Sequence, residues 1–224
     1  ILTRQSPKKS MDTWHSLLKK EILNIPPLGV IGYHPSKLPR NRGRHPIIWS
    51  LALGLDESGS TFFVMDEGAD SGDIVSQVII PISNEDNAGS LYAKLARSAS
   101  GQLTNIINQL NNHTLVRQPQ DFSSASTWRK RTPKDGEIDW RMPAQSIYNL
   151  VRALSLPYPG AHCLYEGAEV KVWETRPYPA TAPDNEPGKV LRVHNREVLL
   201  QCGQGALTLV NHELPNLPIV GTYI

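Results

Sequence analysis

One imidazole and one carboxylate, each just past an apolar run, are the residues here best suited to moving a proton. Residues 28–34 read LGVIGYH, and His34 closes that run immediately before Pro35 and Ser36. Residues 61–65, TFFVM, empty into the acidic loop DEGADSGD at 66–73, with Asp70 and Asp73 beyond the run's end. Histidine changes charge near neutral pH, and a neighbouring carboxylate favours the cationic ring and fixes its tautomer. The pair therefore suits general acid–base chemistry. Spacing alone is a weak signal. A histidine before a proline is more often a structural strand end, and DEGADSGD also reads as a solvated acidic turn. That turn lacks the twelve-residue pattern of a calcium loop, and no metal site is expected elsewhere.

The elements that must position the pair follow from periodicity. Trp14, Leu17, Leu18, Ile22 and Leu23 recur at helical spacing until Pro26 and Pro27 stop them. Residues 28–33 have the length and flanks of a buried parallel strand. On that strand His34 shares a face with Gly32 and not with Tyr33. Its carboxyl end is where open α/β sheets place ligands. Residues 46–55 predict a buried helix opened by Pro46 and closed near Gly54. Strands are predicted at 60–66 and 75–82, the second bent at Pro81. Residues 87–110 form the clearest amphipathic helix, with Leu91, Leu95, Ala99, Leu103, Ile106, Ile107 and Leu110 on its apolar face.

Character changes near His113. Residues 118–128 read as a linker, and a short helix is predicted at 146–154. Short alternating strands with glycine turns follow, the pattern of a small antiparallel barrel or sandwich. The domains expected are therefore 1–117, a linker at 118–128, and 129–224.

The bulk numbers agree with one large or two small domains. The chain has 224 residues, 39% hydrophobic and 20% charged, with 18 prolines that favour short elements. A net charge of +2 makes no demand for nucleic acid or a membrane surface. Cys163 and Cys202 fit no metal or redox spacing and read as reduced packing residues. No apolar run reaches the roughly 20 residues of a membrane span. The first residues hold neither an initiator Met nor a signal-peptide core. The expectation is a cytoplasmic protein whose natural beginning lies upstream.

The string HPSKLPRNRGRHPIIW, followed by TFFVMDEGADSGDIVSQ, resembles the formyltransferases that use N10-formyltetrahydrofolate. That family carries Asn-x-His, a Ser-Leu-Leu-Pro-like loop, an Arg-Gly pair, and an Asp in an Asp-(Thr/Ser/Ala)-Gly loop. The matching positions are His34, Ser36 to Pro39, Arg42-Gly43 and Asp70-Ser71-Gly72. RKRTPKDGEIDW, SIYNLVRALSLPYPGAHC and VKVWETRPY resemble the family's carboxyl-terminal domain. The resemblance covers about Glu21 to the end. RGRHPIIW and Arg-Thr-Pro lean toward sugar N-formyltransferases, with methionyl-tRNA formyltransferase a near relative.

The resemblance implies an α/β chain: part of a Rossmann-like domain, then an OB-like β-barrel. The implied reaction moves a formyl group from N10-formyltetrahydrofolate to the amine of a nucleotide-linked amino sugar. His34 would relay protons and stabilise the tetrahedral oxyanion, and Asp70 would hold His34. Arg44 and the stretch Asp66, Glu67, Gly68, Ala69 and Asp70 would line the cofactor site. Ser36, Lys37, Leu38, Pro39 and Arg42 would meet the substrate. A homodimer is compatible with this reading, and tRNA is the alternative substrate. Two departures stand out. The family's oxyanion-binding Asn falls on Gly32, which has no side-chain donor. The βαβ unit with which the family begins has no counterpart before Trp14. Both favour a further alternative, a truncated binding module with impaired catalysis.

Overall fold

The computed structural model describes residues 18–179 and 185–224. The helix expected from Trp14 falls partly outside them; within them α1 spans Lys20–Leu23. There follow β1 (Ile31–His34), β2 (Arg42–Gly43), α2 (Pro46–Ala52), β3 (Glu57–Val64), β4 (Ile74–Pro81) and α3 (Ala88–Asn111). Next come β5 (Thr127–Trp128), α4 (Ala144–Leu154), β6 (Ala161–Tyr165), β7 (Ala168–Tyr178), β8 (Val190–His194), β9 (Glu197–Gln201) and β10 (Ala206–His212). The architecture is mixed α/β.

Three strands in the order β1-β3-β4 make the sheet that carries His34, and every pair is antiparallel. This corrects the parallel strand expected at 28–33. Length and flanking prolines do not encode strand direction. The direction is set by Tyr33 lying opposite Phe62, ring centroids 4.9 Å apart, and His34 opposite Thr61.

Helix α3 is held at its start by a reciprocal cap. Asn87 Oδ1 accepts from Ser90 N, and Ser90 Oγ accepts from Asn87 N, both at 3.0 Å. Leu91, Leu95 and Ile106 are buried as expected, whereas Leu103 and Ile107 are exposed. Their place against the sheet is taken by buried Gln102, which donates to Ser60 O and Ser76 Oγ on β3 and β4. A polar residue with two partners can sit where the apolar period calls for a hydrocarbon.

The five later strands run antiparallel in the order β6-β7-β10-β9-β8. This sheet is open, so the expected barrel is not closed. Each edge is satisfied locally: Ile138 N donates to His162 O on β6, and Val190 N on β8 donates to Thr222 O. One apolar cluster joins the two halves. It includes Ile47 and Leu51 of α2, Leu91 and Leu95 of α3, Val151 of α4 and Leu207 of β10. Cys163 and Cys202 are free and buried, and burial pushes their thiols up to about 11 and about 12. No helix among the described residues is long and apolar enough to cross a membrane.

Candidate active site

His34 ends β1 because Pro35 cannot continue the ladder. Its residue is only 5% exposed. Nδ1 lies 3.5 Å from Asp70 Oδ2, and Nε2 lies 2.9 Å from the carbonyl of Asn41. A carbonyl only accepts, so Nε2 carries a hydrogen and donates to it. In the neutral ring Nδ1 is then the lone-pair atom and faces the carboxylate across a gap that a proton would bridge. Both ring nitrogens thus face protein acceptors.

Asp70 is delivered to this spot by an unusual backbone. Its φ of 56° is left-handed, a region Asp tolerates better than most residues. The backbone N–H of Gly43 donates to Asp70 Oδ2 at 2.8 Å, the same oxygen that faces His34. Gly43 has φ 96°, and an added Cβ would lie 2.4 Å from Trp128 O. Only glycine lets β2 lie against β5 and present that N–H.

A buried amide then fixes the loop. Gln120 Nε2 donates to the carbonyls of Asp70 and Gly72 at 2.9 and 2.7 Å. Its Oε1 accepts from Arg42 Nε and Nη2 at 3.2 and 2.7 Å. Gln120 lies in the stretch read as a linker. That stretch also pairs Thr127–Trp128 in parallel with Arg42–Gly43. Nothing in the sequence marks Gln120, a polar residue in a loop without a period; only this pairing shows its use.

The other expected site residues divide. Arg42 is buried, with its guanidinium on Gln120 and over the Phe122 ring, and so braces the Asp70 loop. Ser36 is buried, its hydroxyl donating to Arg40 O and its carbonyl accepting from Thr61. Leu38 is buried, and its carbonyl accepts from Gln77. Lys37 pairs with Glu57 at 2.6 Å, and Pro39 follows a cis peptide bond. Residues 36–39 therefore pack on β3 and β4. In the acidic loop, Asp66 Oδ1 accepts from Gly68 N and Ser71 Oγ. The N–H groups of Glu67 and Ala69, and the carbonyls of 67–69, make no hydrogen bond among the described residues. They form an exposed backbone edge of donors and acceptors beside Asp70, whose own carbonyl is taken by Gln120.

Gly32 does not have a left-handed backbone. An added Cβ would meet Met65 Cγ at 2.9 Å and the Phe63 ring at 3.0 Å, so these side chains fill the place of a larger residue. Arg44 lies one residue past Gly43 and starts a basic, aromatic face. Arg129 and Arg131 stack on Trp49, with guanidinium carbons 5.2 and 4.6 Å from the ring centroid, and Trp128 lies beside it. Burial first, then Arg131, Arg44 and Lys130, hold the imidazole of His45 below its usual range.

Two family models match the chain: "Formyl transferase" over residues 11–107 and "Formyl transferase, C-terminal domain" over 130–220. Among solved structures, HypX from Aquifex aeolicus in complex with tetrahydrofolic acid is 20% identical, with a TM-score of 0.65. The match covers 81% of this chain and 31% of HypX, so the chain spans about a third of that protein. The N-formyltransferase from Helicobacter canadensis, solved with folinic acid and dTDP-3-aminofucose, is 19% identical with a TM-score of 0.66. Here 82% of this chain and 66% of that one are covered. A 4-N formyltransferase from Francisella tularensis is 26% identical with a TM-score of 0.60, covering 69% and 64%.

Proposed function

The chain belongs to the formyltransferase family, and from that premise we propose that it transfers a formyl group from N10-formyltetrahydrofolate to the amine of a nucleotide-linked amino sugar. The observation that carries the reading is the His34–Asp70 pair, held by Gly43 and Gln120 beside an open backbone edge. The edge at 67–69 offers both free donors and free acceptors, which suits the amide and amino groups of a pterin. The cofactor supplies the activated formyl carbon. His34 takes the proton that the attacking amine must lose and returns it to the departing nitrogen. Asp70 holds the ring in place from its Nδ1 side. To meet the amine, His34 must exchange one of its two protein contacts, and the Asn41 carbonyl is the uncharged one.

The basic face supports the choice of substrate. Arg129 and Arg131 stack on Trp49 beside Trp128, and Arg44, Lys130 and Arg131 surround His45, a face where a diphosphate and a base could be held. The same face suits tRNA, the alternative substrate. The reading as an impaired binding module draws on Gly32 and on the two occupied nitrogens of His34. An assay with the folate donor, dTDP- and UDP-linked amino sugars, and methionyl-tRNA separates the three. Formylation of an amino sugar supports the proposal, formylation of tRNA alone replaces it, and binding of the nucleotide sugar without turnover favours the module.

A further inference from the structure

A cavity of about 580 Å3 shares no residue with the His34 site. It lies where the start of α3, the end of α4, β7 and β10 meet. Its volume is in the range of small-molecule sites. Arg152 of α4 is 7% exposed and forms part of the wall. Its Nε donates to Asn149 Oδ1, and its Nη1 to the carbonyls of Ser83 and Asp86, each at 2.9 Å. Nη2 makes no hydrogen bond among the described residues and is not sealed in by protein. Asn87, the cap of the 24-residue helix α3, is also in the wall, which places the positive end of that helix there. Thr175 is 5% exposed, and its hydroxyl lacks a partner among the described residues.

The remaining wall has the opposite charge and an apolar part. Glu85 and Glu174 line the cavity and make no ion pair among the described residues. Glu213 accepts from Trp173 Nε1 at 2.9 Å. Leu156, 71% exposed, and Trp173 also line it. The β10 strand is irregular at Asn211, and such bulges re-aim side chains.

An open guanidinium edge, unpaired carboxylates and an apolar flank in one small cavity match a compact zwitterion. We propose that this cavity binds a free α-amino acid with an apolar side chain. Arg152 and the start of α3 take the carboxylate, Glu85 and Glu174 take the ammonium, and Leu156 with Trp173 takes the side chain. The site does not depend on the formyl-transfer reading.

The test is calorimetric titration of the 224-residue protein with L-leucine. The controls are 4-methylpentanoate, which lacks the ammonium, and 3-methylbutylamine, which lacks the carboxylate. The variants are Glu174→Gln and Leu156→Asp, both at exposed positions, with thermal melting measured alongside. L-Leucine should bind, and each control and each variant should weaken binding about tenfold or more, as loss of one charged contact does. His34→Ala should bind leucine unchanged. No leucine binding to the folded protein overturns the proposal. So does equal binding of either control, or unchanged affinity in both variants.

Discussion

Asp70 reaches His34 only because several backbone and amide groups hold it there. Its Oδ2 takes the Gly43 N–H, and its carbonyl takes Gln120. Gln120 is thus a positioning residue, and its two ends can be tested apart. Gln120→Glu keeps an acceptor for Arg42 but loses both donors to Asp70 and Gly72. Formyl transfer should fall more than tenfold while the melting temperature changes by a few degrees at most. A parallel loss of folding would make Gln120 merely structural; restored activity in a Gln120→Asn variant is not expected, since the shorter amide cannot span both partners. Gly32 gives a second residue-level expectation. Gly32→Asn alone should cost about 1–3 kcal/mol, because Met65 and the Phe63 ring stand in its way. Adding Met65→Ala should recover part of that stability, and the new amide should then raise turnover. Stability unchanged by Gly32→Asn, measured by denaturant unfolding, would contradict the packing.

At the scale of elements, α3 offers a pH test. Asp86 precedes its cap and is buried. Burial raises its pKa, but Lys94, the Ser83 N–H and the Ser90 hydroxyl together hold it below the ordinary carboxylate range. A lowered folded pKa contributes stability that is complete above the unfolded value and is lost as pH falls through the folded one. Asp86→Asn should therefore lower stability by about 1 kcal/mol at neutral pH, and the gap should close as pH falls below about 4. A gap that is constant from pH 7 to pH 3 would contradict the assignment. The same helix shows what sequence can convey. Its buried Leu91, Leu95 and Ile106 were legible from a 3.6-residue period. Gln102 was not, because its partners on β3 and β4 are distant in sequence. His34 and Asp70 were legible as strand-end residues joined by a familiar motif. Gln120 and the β2–β5 pairing were not, since two-residue strands leave no period to read. The direction of β1 and the open edges of the later sheet likewise depend on contacts that local pattern does not encode.

For the whole molecule, the shared cluster from α2 and α3 through α4 to β10 predicts one cooperative unfolding transition. Circular dichroism and tryptophan fluorescence, with Trp49 and Trp128 in one half and Trp140 and Trp173 in the other, should report coincident midpoints. Two separated midpoints would mean that the halves unfold independently. The central claim, that His34 relays the proton in formyl transfer, is met most directly by one comparison. The rate of formyl transfer from N10-formyltetrahydrofolate to a nucleotide-linked amino sugar is measured for the protein and for His34→Ala, with melting curves for both. The account predicts measurable transfer by the protein and a loss of about a hundred- to ten-thousandfold in the variant, the usual contribution of general acid–base catalysis, at unchanged stability. A variant within about tenfold of the parent rate would contradict it.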